Sequence, residues 1–282
     1  MKILHAFTFL IVSAAPALAG PNGPSAPDKS RYSIFHPTPA AEMRDLSTDR
    51  PDQTESPYTV DAGHVQIEMD LINWTRDRSG GITTETLAIA PINFKIGLTN
   101  NIDVQFVYDS YSEERVRGGG ERSRTSGWGD LTTRVKINLW GNDGGKTALA
   151  LMPFVKIPVA SGGMGNGEVE GGLIVPFAVN LSEHAGLGLM TELDILADDE
   201  GGGHHLAWVN SATVSFDFTD KLGAYVELFT VVRDDGGPWV AQFDAGLTYG
   251  LTENIQLDCG CNFGLTRSAP DYQPFVGVSV RF

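Results

Sequence analysis

The residues of this chain that could carry chemistry are charged side chains recurring at every second position of otherwise apolar segments. In GWGDLTTRVKINLWGN, residues 127–142, Arg134 and Lys136 alternate with Val135 and Ile137. Successive side chains of a β-strand point to opposite faces, so this segment predicts a strand with one charged face and one apolar face. Such a charged face can either line an internal aqueous passage or meet bulk solvent, and the elements that carry it decide between the two.

The same alternation sorts the charges of other segments into two groups. If all polar faces point to a common interior, a basic and an acidic sector create a transverse field, and the excess of acid favours cations or neutral polar solutes. Alternatively, the charges pair with one another or with a plug and only solubilise the interior. The predicted basic sector comprises Lys95, Arg134, Lys136 and Lys156, and the predicted acidic sector comprises Glu68, Asp70, Glu170, Glu192, Asp194, Glu227, Asp244 and Asp258.

A second kind of chemistry, lipid hydrolysis, would need a serine, a histidine and a polar orienting group near the outer leaflet. Candidates exist in His204, His205, Ser161 and Asn166, which lie in or beside predicted loops. However, the chain contains no Gly-x-Ser-x-Gly motif, and loop histidines are usually solvated. We therefore expect no catalytic residues, no metal site and no cofactor.

The elements that position these residues are alternating segments of about ten residues, separated by turns rich in Gly, Asn, Asp and Pro. The alternation slips at Ile72 and Pro91, where we expect a bulge or an edge irregularity. Twelve segments can be counted from residue 65 onward: 65–75, 84–98, 102–111, 129–140, 147–159, 168–181, 186–197, 205–218, 221–232, 239–250, 255–265 and 273–282.

The connections alternate in length. Those after even-numbered segments are tight and self-similar, as in GLTNNIDV and GLTENIQL, whereas those after odd-numbered segments are longer and more polar. The longest predicted loop is Ser112–Trp128. Short turns at one end and long loops at the other are typical of outer-membrane barrels, whose short turns face the periplasm.

Three features favour a membrane barrel over a soluble sandwich. The segments approach the 9–11 residues that a tilted strand needs to cross a bilayer. Aromatic residues gather near segment ends, as interfacial girdles do. The polar faces also carry too many charges for a dry core, where each unpaired charge would cost several kcal/mol. We therefore predict an all-β, 12-stranded antiparallel transmembrane β-barrel with an N-terminal periplasmic or plug segment.

Three regions are predicted along the chain. Residues 1–19 read as a signal peptide, with a basic start, an apolar stretch and the cleavage site Ala17-Leu18-Ala19. Residues 20–64 form a Pro-rich extension, and residues 65–282 form the barrel. The extension could be a disordered tether, but we favour a plug that pairs with interior charges. The candidate plug residues are Arg44, Asp49, Arg50, Asp52 and Glu55.

The composition also limits the partners. The formal net charge of −15 argues against nucleic acid. A barrel in the bacterial outer membrane would instead contact membrane lipids and lipopolysaccharide. The last strand ends in Phe282, and a terminal aromatic strand resembles the signature by which the barrel assembly machinery recognises such proteins.

The stretch LSTDRPDQTESPYTVDAGHVQIEMD, residues 46–70, resembles the opening of a family of Gram-negative outer-membrane proteins linked by name to the meta-cleavage pathway of phenol degradation. GWGDLTTRVKINLWG resembles a mid-barrel strand of the same family, which also includes porins that export functional-amyloid subunits. The resemblance covers essentially the whole predicted mature chain and implies a twelve-stranded channel. The amyloid exporters carry a coiled coil before the barrel, but residues 20–45 show no heptads and are rich in proline.

Residue patterns and resemblance together predict a porin-like channel for the diffusion of small solutes through a charged lumen. A phospholipase-type barrel and a purely structural barrel with a blocked lumen remain the alternatives.

Overall fold

The computed structural model describes residues 28–198 and 202–282, so the predicted signal peptide lies outside the described residues. The described chain contains one short 3₁₀ turn, Ala40–Glu42, and none of its helices is long and apolar enough to span a membrane. Its fifteen strands are β1 Val65–Ser79, β2 Ile82–Ile89, β3 Ile92–Thr99, β4 Ile102–Tyr108, β5 Tyr111–Gly118, β6 Glu121–Trp128, β7 Leu131–Trp140, β8 Thr147–Ile157, β9 Glu170–Ser182, β10 Ala185–Ala197, β11 His204–Asp217, β12 Leu222–Arg233, β13 Val240–Thr252, β14 Ile255–Gly264 and β15 Tyr272–Arg281.

These strands form one closed antiparallel barrel. The last strand, β15, pairs with β1, for example through Gln66 and Arg281, so the sheet has no open edge at the chain ends. Three positions around the barrel are each filled by two consecutive strands, namely β2 with β3, β4 with β5, and β6 with β7. Fifteen strands therefore make twelve barrel positions, and the predicted fold class is confirmed.

The irregularities fall where the alternation slips in the sequence. The register of β1 against β15 shifts between Asp70 and Ile72, as a β-bulge does. The break between β2 and β3 lies at Ala90, with a φ of 55°, and Pro91, which has no N–H to donate to a neighbouring strand. After this shift, the even-numbered residues of β1 that follow Asp70 face outward instead of inward.

One prediction about the connections is wrong. Residues 112–128, expected to be the longest loop, form most of a tall hairpin of β5 and β6 instead. The turn at its tip contains Gly119, whose φ of 59° lies in the left-handed region that favours glycine. The hairpin was missed because both of its faces are polar, so it lacks the apolar alternation by which strands were recognised.

Burial in the barrel is the inverse of that in a soluble protein. The interior holds charged residues such as Lys95, Lys136 and Glu227, whose side chains are at most 2 % exposed. The exterior carries apolar residues such as Leu247 and Val276, both more than 45 % exposed. Since the closed sheet satisfies its own backbone groups, this arrangement suits a lipid surround and a polar interior.

Part of the interior is nevertheless apolar, although the sequence predicts polar faces that point inward. Inward-facing side chains from β8 to β11 form a buried cluster, which the inward residues of β8 and β12 extend. Burying apolar surface next to the barrel wall removes it from water and narrows the space available to solutes. The cluster comprises Met152, Ile174, Met190 and Val209, packed against Phe154, Phe229 and Val231.

Candidate functional site in the barrel lumen

The segment 44–60 lies inside the barrel and enters and leaves at the end that carries the short turns. At the entrance, Arg44 donates hydrogen bonds to Asn100 (2.9 Å) and Asp143 (3.1 Å), both in short turns. At the exit, the Val60 N–H donates to Asp103 on β4 (3.0 Å). We call residues 44–60 the lumenal segment.

Asp49 attaches the lumenal segment to the basic side of the wall. Its carboxylate accepts hydrogen bonds from Lys95 on β3 and from Lys136 on β7, the latter at 2.6 Å. Its backbone N–H donates to Glu68 on β1 (3.0 Å), and Glu68 also accepts from Lys95. All four charged groups are buried, so each depends on the others to offset the loss of hydration.

Arg50, the next residue of the lumenal segment, binds acidic residues of the wall. Its guanidinium binds Asp70 on β1 and Asp258 on β14, both at 2.6 Å, and its Cζ lies 5.6 Å from the centre of the Phe275 ring. A side chain at Gly277 would displace Arg50, because a Cβ atom there would lie 2.0 Å from Nη2 of the guanidinium. The glycine therefore permits the close approach of the guanidinium to the wall.

Gln53 and Thr54, which sequence reasoning did not select, bind the acidic wall. Their backbone N–H groups both donate to Glu227 on β12 at 2.8 Å, and the Gln53 side chain donates to Asp244 on β13 (2.7 Å). Charge patterning could not find these neutral residues. The available signal was their position inside the run RPDQTE, between candidate plug residues.

The remaining candidates of the segment lie close by. Glu55 accepts a hydrogen bond from Arg134 on β7. Asp52 is half-buried beside the acidic wall. Lys156 lies further along the barrel, where it contacts Glu170 on β9 (2.6 Å) and Asp130 (3.5 Å).

The predicted basic and acidic sectors differ in how many of their residues form ion pairs. All four residues of the predicted basic sector form ion pairs. The two sectors are not fully separated, because Glu68 lies beside Lys95 and Glu170 beside Lys156. In the part of the chain that the structure describes, four carboxylates of the predicted acidic sector form no ion pair, namely Glu192, Asp194, Glu227 and Asp244.

The lumenal segment does not fill the barrel. A cavity of about 270 Å³ lies between the segment and the wall, bordered by Asp52, Gly188 and Thr213. A second cavity of about 180 Å³ is bordered by Glu55, Asp70 and Arg134 on the other side of the barrel. A wider cavity of about 610 Å³ opens beside Arg44. Space for small solutes therefore remains on several sides of the segment.

Asp143 holds the entrance of the segment together. Its carboxylate contacts Lys29 and Arg44, each at 3.1 Å. Partial burial raises the pKa of this carboxyl, but hydrogen bonds from Asn100 and Lys29 and the charge of Arg44 outweigh burial. The pKa of Asp143 therefore lies below its ordinary value, and the group is ionised at neutral pH.

The candidate hydrolase residues do not form a joint site in the described structure. His205 pairs with Asp198 at 2.9 Å, whereas the Ser161 hydroxyl accepts the Trp128 N–H (3.1 Å). Asn166 binds Lys156 (2.9 Å) instead. Within residues 28–198 and 202–282 there is also no group of three or more His, Cys, Asp or Glu residues placed to hold a metal ion.

Comparisons with known proteins agree with this architecture. The barrel is similar to the crystal structure of an outer membrane channel from Pseudomonas putida F1, with a TM-score of 0.61 and 14 % identity over 84 % of this chain and 100 % of that one. It also resembles the NanC porin, with a TM-score of 0.49 and 10 % identity over 77 % of this chain and 98 % of that one. No curated protein sequence matches.

The fold is thus that of a bacterial outer-membrane barrel, a class of barrel in which short turns generally face the periplasm. The family model described as the MetA-pathway of phenol degradation matches residues 48–282, which includes most of the lumenal segment and the entire barrel. The chain belongs to this family.

Proposed function

We propose that this protein is an outer-membrane channel through which small solutes diffuse. The observation that carries the proposal is the inverted barrel, with ionised side chains inside and apolar side chains outside. A lumen with charged walls and cavities beside its inner segment supports passage of solutes rather than a solid core. The fold shared with an outer membrane channel is compatible with this role.

The unpaired carboxylates support a preference for cations or neutral polar solutes. Carboxylates without basic partners leave a negative potential in the lumen, whereas the basic side chains are neutralised by their ion pairs. A charged lining in a narrow passage selects for ions of the opposite sign. Anions would meet a repulsive wall on the side of Glu192 and Asp194.

The lumenal segment is proposed to act as a plug that limits flow. Its anchors join opposite sides of the barrel, because Asp49 binds the basic wall while Arg50 and Gln53 bind the acidic one. A segment held at both sides crosses the passage and reduces its free cross-section. Removal of the segment should therefore widen the channel without opening the barrel wall.

The test is single-channel conductance in planar lipid bilayers, with the full chain and with a variant that lacks residues 20–60. We expect cation-selective conductance from the full chain and a higher conductance from the deletion variant. Unchanged conductance would remove the plug hypothesis, and no conductance from either protein would overturn the channel.

The deletion also removes charge partners of the wall and could impair folding. A second variant, Asp49→Asn with Glu55→Gln, keeps the chain length and the barrel strands but weakens both attachments to the basic wall. It should raise conductance in the same direction as the deletion. The enzymatic alternative is tested separately by assaying lipid hydrolysis with the native chain and with His205→Ala, where activity lost in the variant would favour a phospholipase.

A further inference from the structure

The outer wall of the barrel carries a cluster of arginines at the end opposite the short turns. Two neighbouring hairpins extend the wall at this end. They are β1–β2, which turns at residues 80–81, and β5–β6, which turns at residues 119–120. We call these arginines the arginine patch. They are Arg76, Arg78, Arg115, Arg117, Arg122 and Arg124.

Strand register places the arginines of the patch on one face. Arg115 is directly opposite Arg124, and Arg117 is directly opposite Arg122, so these four side chains leave the β5–β6 hairpin on the same side. Arg76 joins the same face through Glu85, which pairs with Arg76 on one side and Arg115 on the other. No ligand-binding role was predicted for any of these residues from the sequence.

This face is the outside of the barrel. Beyond the bulge, Arg76 lies on the same face of β1 as Ile72, which is 54 % exposed on the apolar exterior. On β5 and β6, the arginines of the patch lie on the same face as Tyr111 and Trp128, which are paired with each other. The arginines therefore project away from the lumen and play no part in lining the channel.

Positive charge on the patch exceeds negative charge. Its carboxylates are Glu113, between Arg115 and Arg124, Glu85, 4.0 Å from Arg76, and Asp271, 2.6 Å from Arg78. In the described chain, Arg117 and Arg122 form no ion pair. Four like-charged side chains in facing pairs repel one another, so an additional anion between them would be stabilising.

The patch begins just above a group of interfacial aromatic residues. Trp74 packs edge-on against Tyr272 with ring centres 5.6 Å apart, and Tyr111 packs against Trp128 at 6.1 Å. Aromatic rings mark the boundary between hydrocarbon and headgroups in outer-membrane barrels. At about 3.3 Å per strand residue, the arginines lie about 7 to 20 Å further along the strands, at the level of the headgroups.

We propose that the arginine patch binds the phosphate groups of the glycolipid that fills the outer leaflet, lipopolysaccharide. Guanidinium groups form bidentate, charge-assisted hydrogen bonds with phosphate, and clustered arginines suit a headgroup that carries more than one phosphate. The acyl chains of the same molecule would lie along the apolar exterior below the aromatic residues. The inference rests on the outer-membrane location in the proposed function, but not on solute transport.

The test compares binding of bisphosphorylated lipid A and dephosphorylated lipid A to the full chain in detergent micelles, followed by the fluorescence of tryptophans such as Trp128. We expect the variant with Arg115, Arg117, Arg122 and Arg124 all changed to Gln to bind bisphosphorylated lipid A at least roughly tenfold more weakly than the native chain, as expected for the loss of several charge-assisted contacts. Dephosphorylated lipid A should bind both proteins equally weakly.

A matched control removes positive charge from the short-turn end by Lys146→Gln and Lys221→Gln, and it should leave binding unchanged. If the four-arginine variant misfolds, Arg117→Gln with Arg122→Gln at the hairpin tip provides a milder test in the same direction. Equal binding by native and variant chains would overturn the proposal. Inorganic phosphate competing as well as lipid A would instead indicate a site for free anions and would also overturn it. Channel conductance, measured in parallel, reports separately on the proposed function.

Discussion

The two sides of the lumen use charge in different ways. On the side formed by β3, β7 and β8, each basic residue is held in an ion pair, mostly with the lumenal segment. On the side formed by β10, β12 and β13, acidic residues such as Glu192 and Asp194 form no ion pair among the described residues. Both walls therefore bind the lumenal segment, but only the acidic wall keeps carboxyl groups outside ion pairs that can set the potential of the passage.

The difference arises from the sequence of the lumenal segment. The run DRPDQTE supplies Asp49 and Glu55 to the basic wall, but only one cation, Arg50, reaches the acidic wall. The other contacts to the acidic wall are neutral donors, Gln53 and Thr54. Neutral donors satisfy the hydrogen-bonding capacity of a carboxylate without cancelling its charge, so the negative potential persists.

The largest expected effect comes from Asp49→Asn, which weakens the attachment of the lumenal segment to the basic wall. The change leaves Lys136 without its ion pair and Lys95 with Glu68 alone. Removing one partner from a buried charged pair costs about 3–5 kcal/mol, so the segment should detach from the basic wall and conductance should rise. Single-channel recording and thermal unfolding measure the two consequences.

Asp45→Asn is the matched control for this prediction. Asp45 lies in the same segment, is exposed, and should change neither stability nor conductance. Equal behaviour of the Asp45 and Asp49 variants would show that the basic wall does not anchor the segment.

The second prediction concerns the acidic side. Glu192→Gln combined with Asp194→Asn replaces two inward-facing carboxyl groups by amides of the same size. The ratio of cation to anion permeability, measured by reversal potential in a salt gradient, should fall by roughly twofold or more, because field and selectivity follow the lining charge. Conductance in symmetric salt should change little.

Glu183→Gln controls for net charge, since Glu183 is exposed in a short turn outside the lumen. It should leave the reversal potential unchanged. A shift as large as that of the double variant would attribute selectivity to the overall charge of the protein instead of to its lumen.

Most of the fold could be predicted because alternation and turn length are local properties. Arg134 and Lys136 on one face of a segment, and apolar residues on the other, indicate a strand without knowledge of its neighbours. The bulge at Ile72 and the break at Pro91 were visible as slips in the same pattern. The tall β5–β6 hairpin was not, because its two faces are both polar.

The partners of the lumenal segment could not be predicted from the sequence. Arg50 contacts Asp258, 208 residues away, and this contact depends on closure of the barrel and on the register of every intervening strand. The apolar cluster in the lumen was missed for a related reason. Met152 and Ile174 lie in strands whose two faces are both largely apolar, so alternation gives no direction.

A smaller effect is expected from Gly277→Ala, which displaces the Arg50 side chain without changing any charge. The new Cβ would lie 2.0 Å from Nη2 of Arg50, so the guanidinium must shift and weaken its contact with Asp258. Conductance should rise, but less than with Asp49→Asn, because Asp49 and Glu55 still hold the segment.

Gly250→Ala is the control for a methyl group added to the barrel wall, since its Cβ would meet only atoms 3.8 Å away or further. It should match the native channel. An effect of Gly277→Ala that Gly250→Ala reproduces would point to a general loss of barrel stability.

The smallest effect is expected from a fall in pH, which weakens the contacts at the entrance of the lumenal segment. The pKa of Asp143 is lowered in the folded protein, so its contribution to stability is present above the ordinary aspartate pKa of about 3.9 and is lost as the pH falls further. Because the carboxylate is partly exposed, solvent screening keeps this contribution below about 1 kcal/mol. The hydrogen-exchange protection factors of residues 28–44, which are corrected for the intrinsic pH dependence of exchange, should therefore fall modestly on acidification. Asp143→Asn should lower them already at neutral pH and remove most of the acid response. Unaltered protection in this variant would mean that Lys29 and Arg44 hold the entrance without the carboxylate.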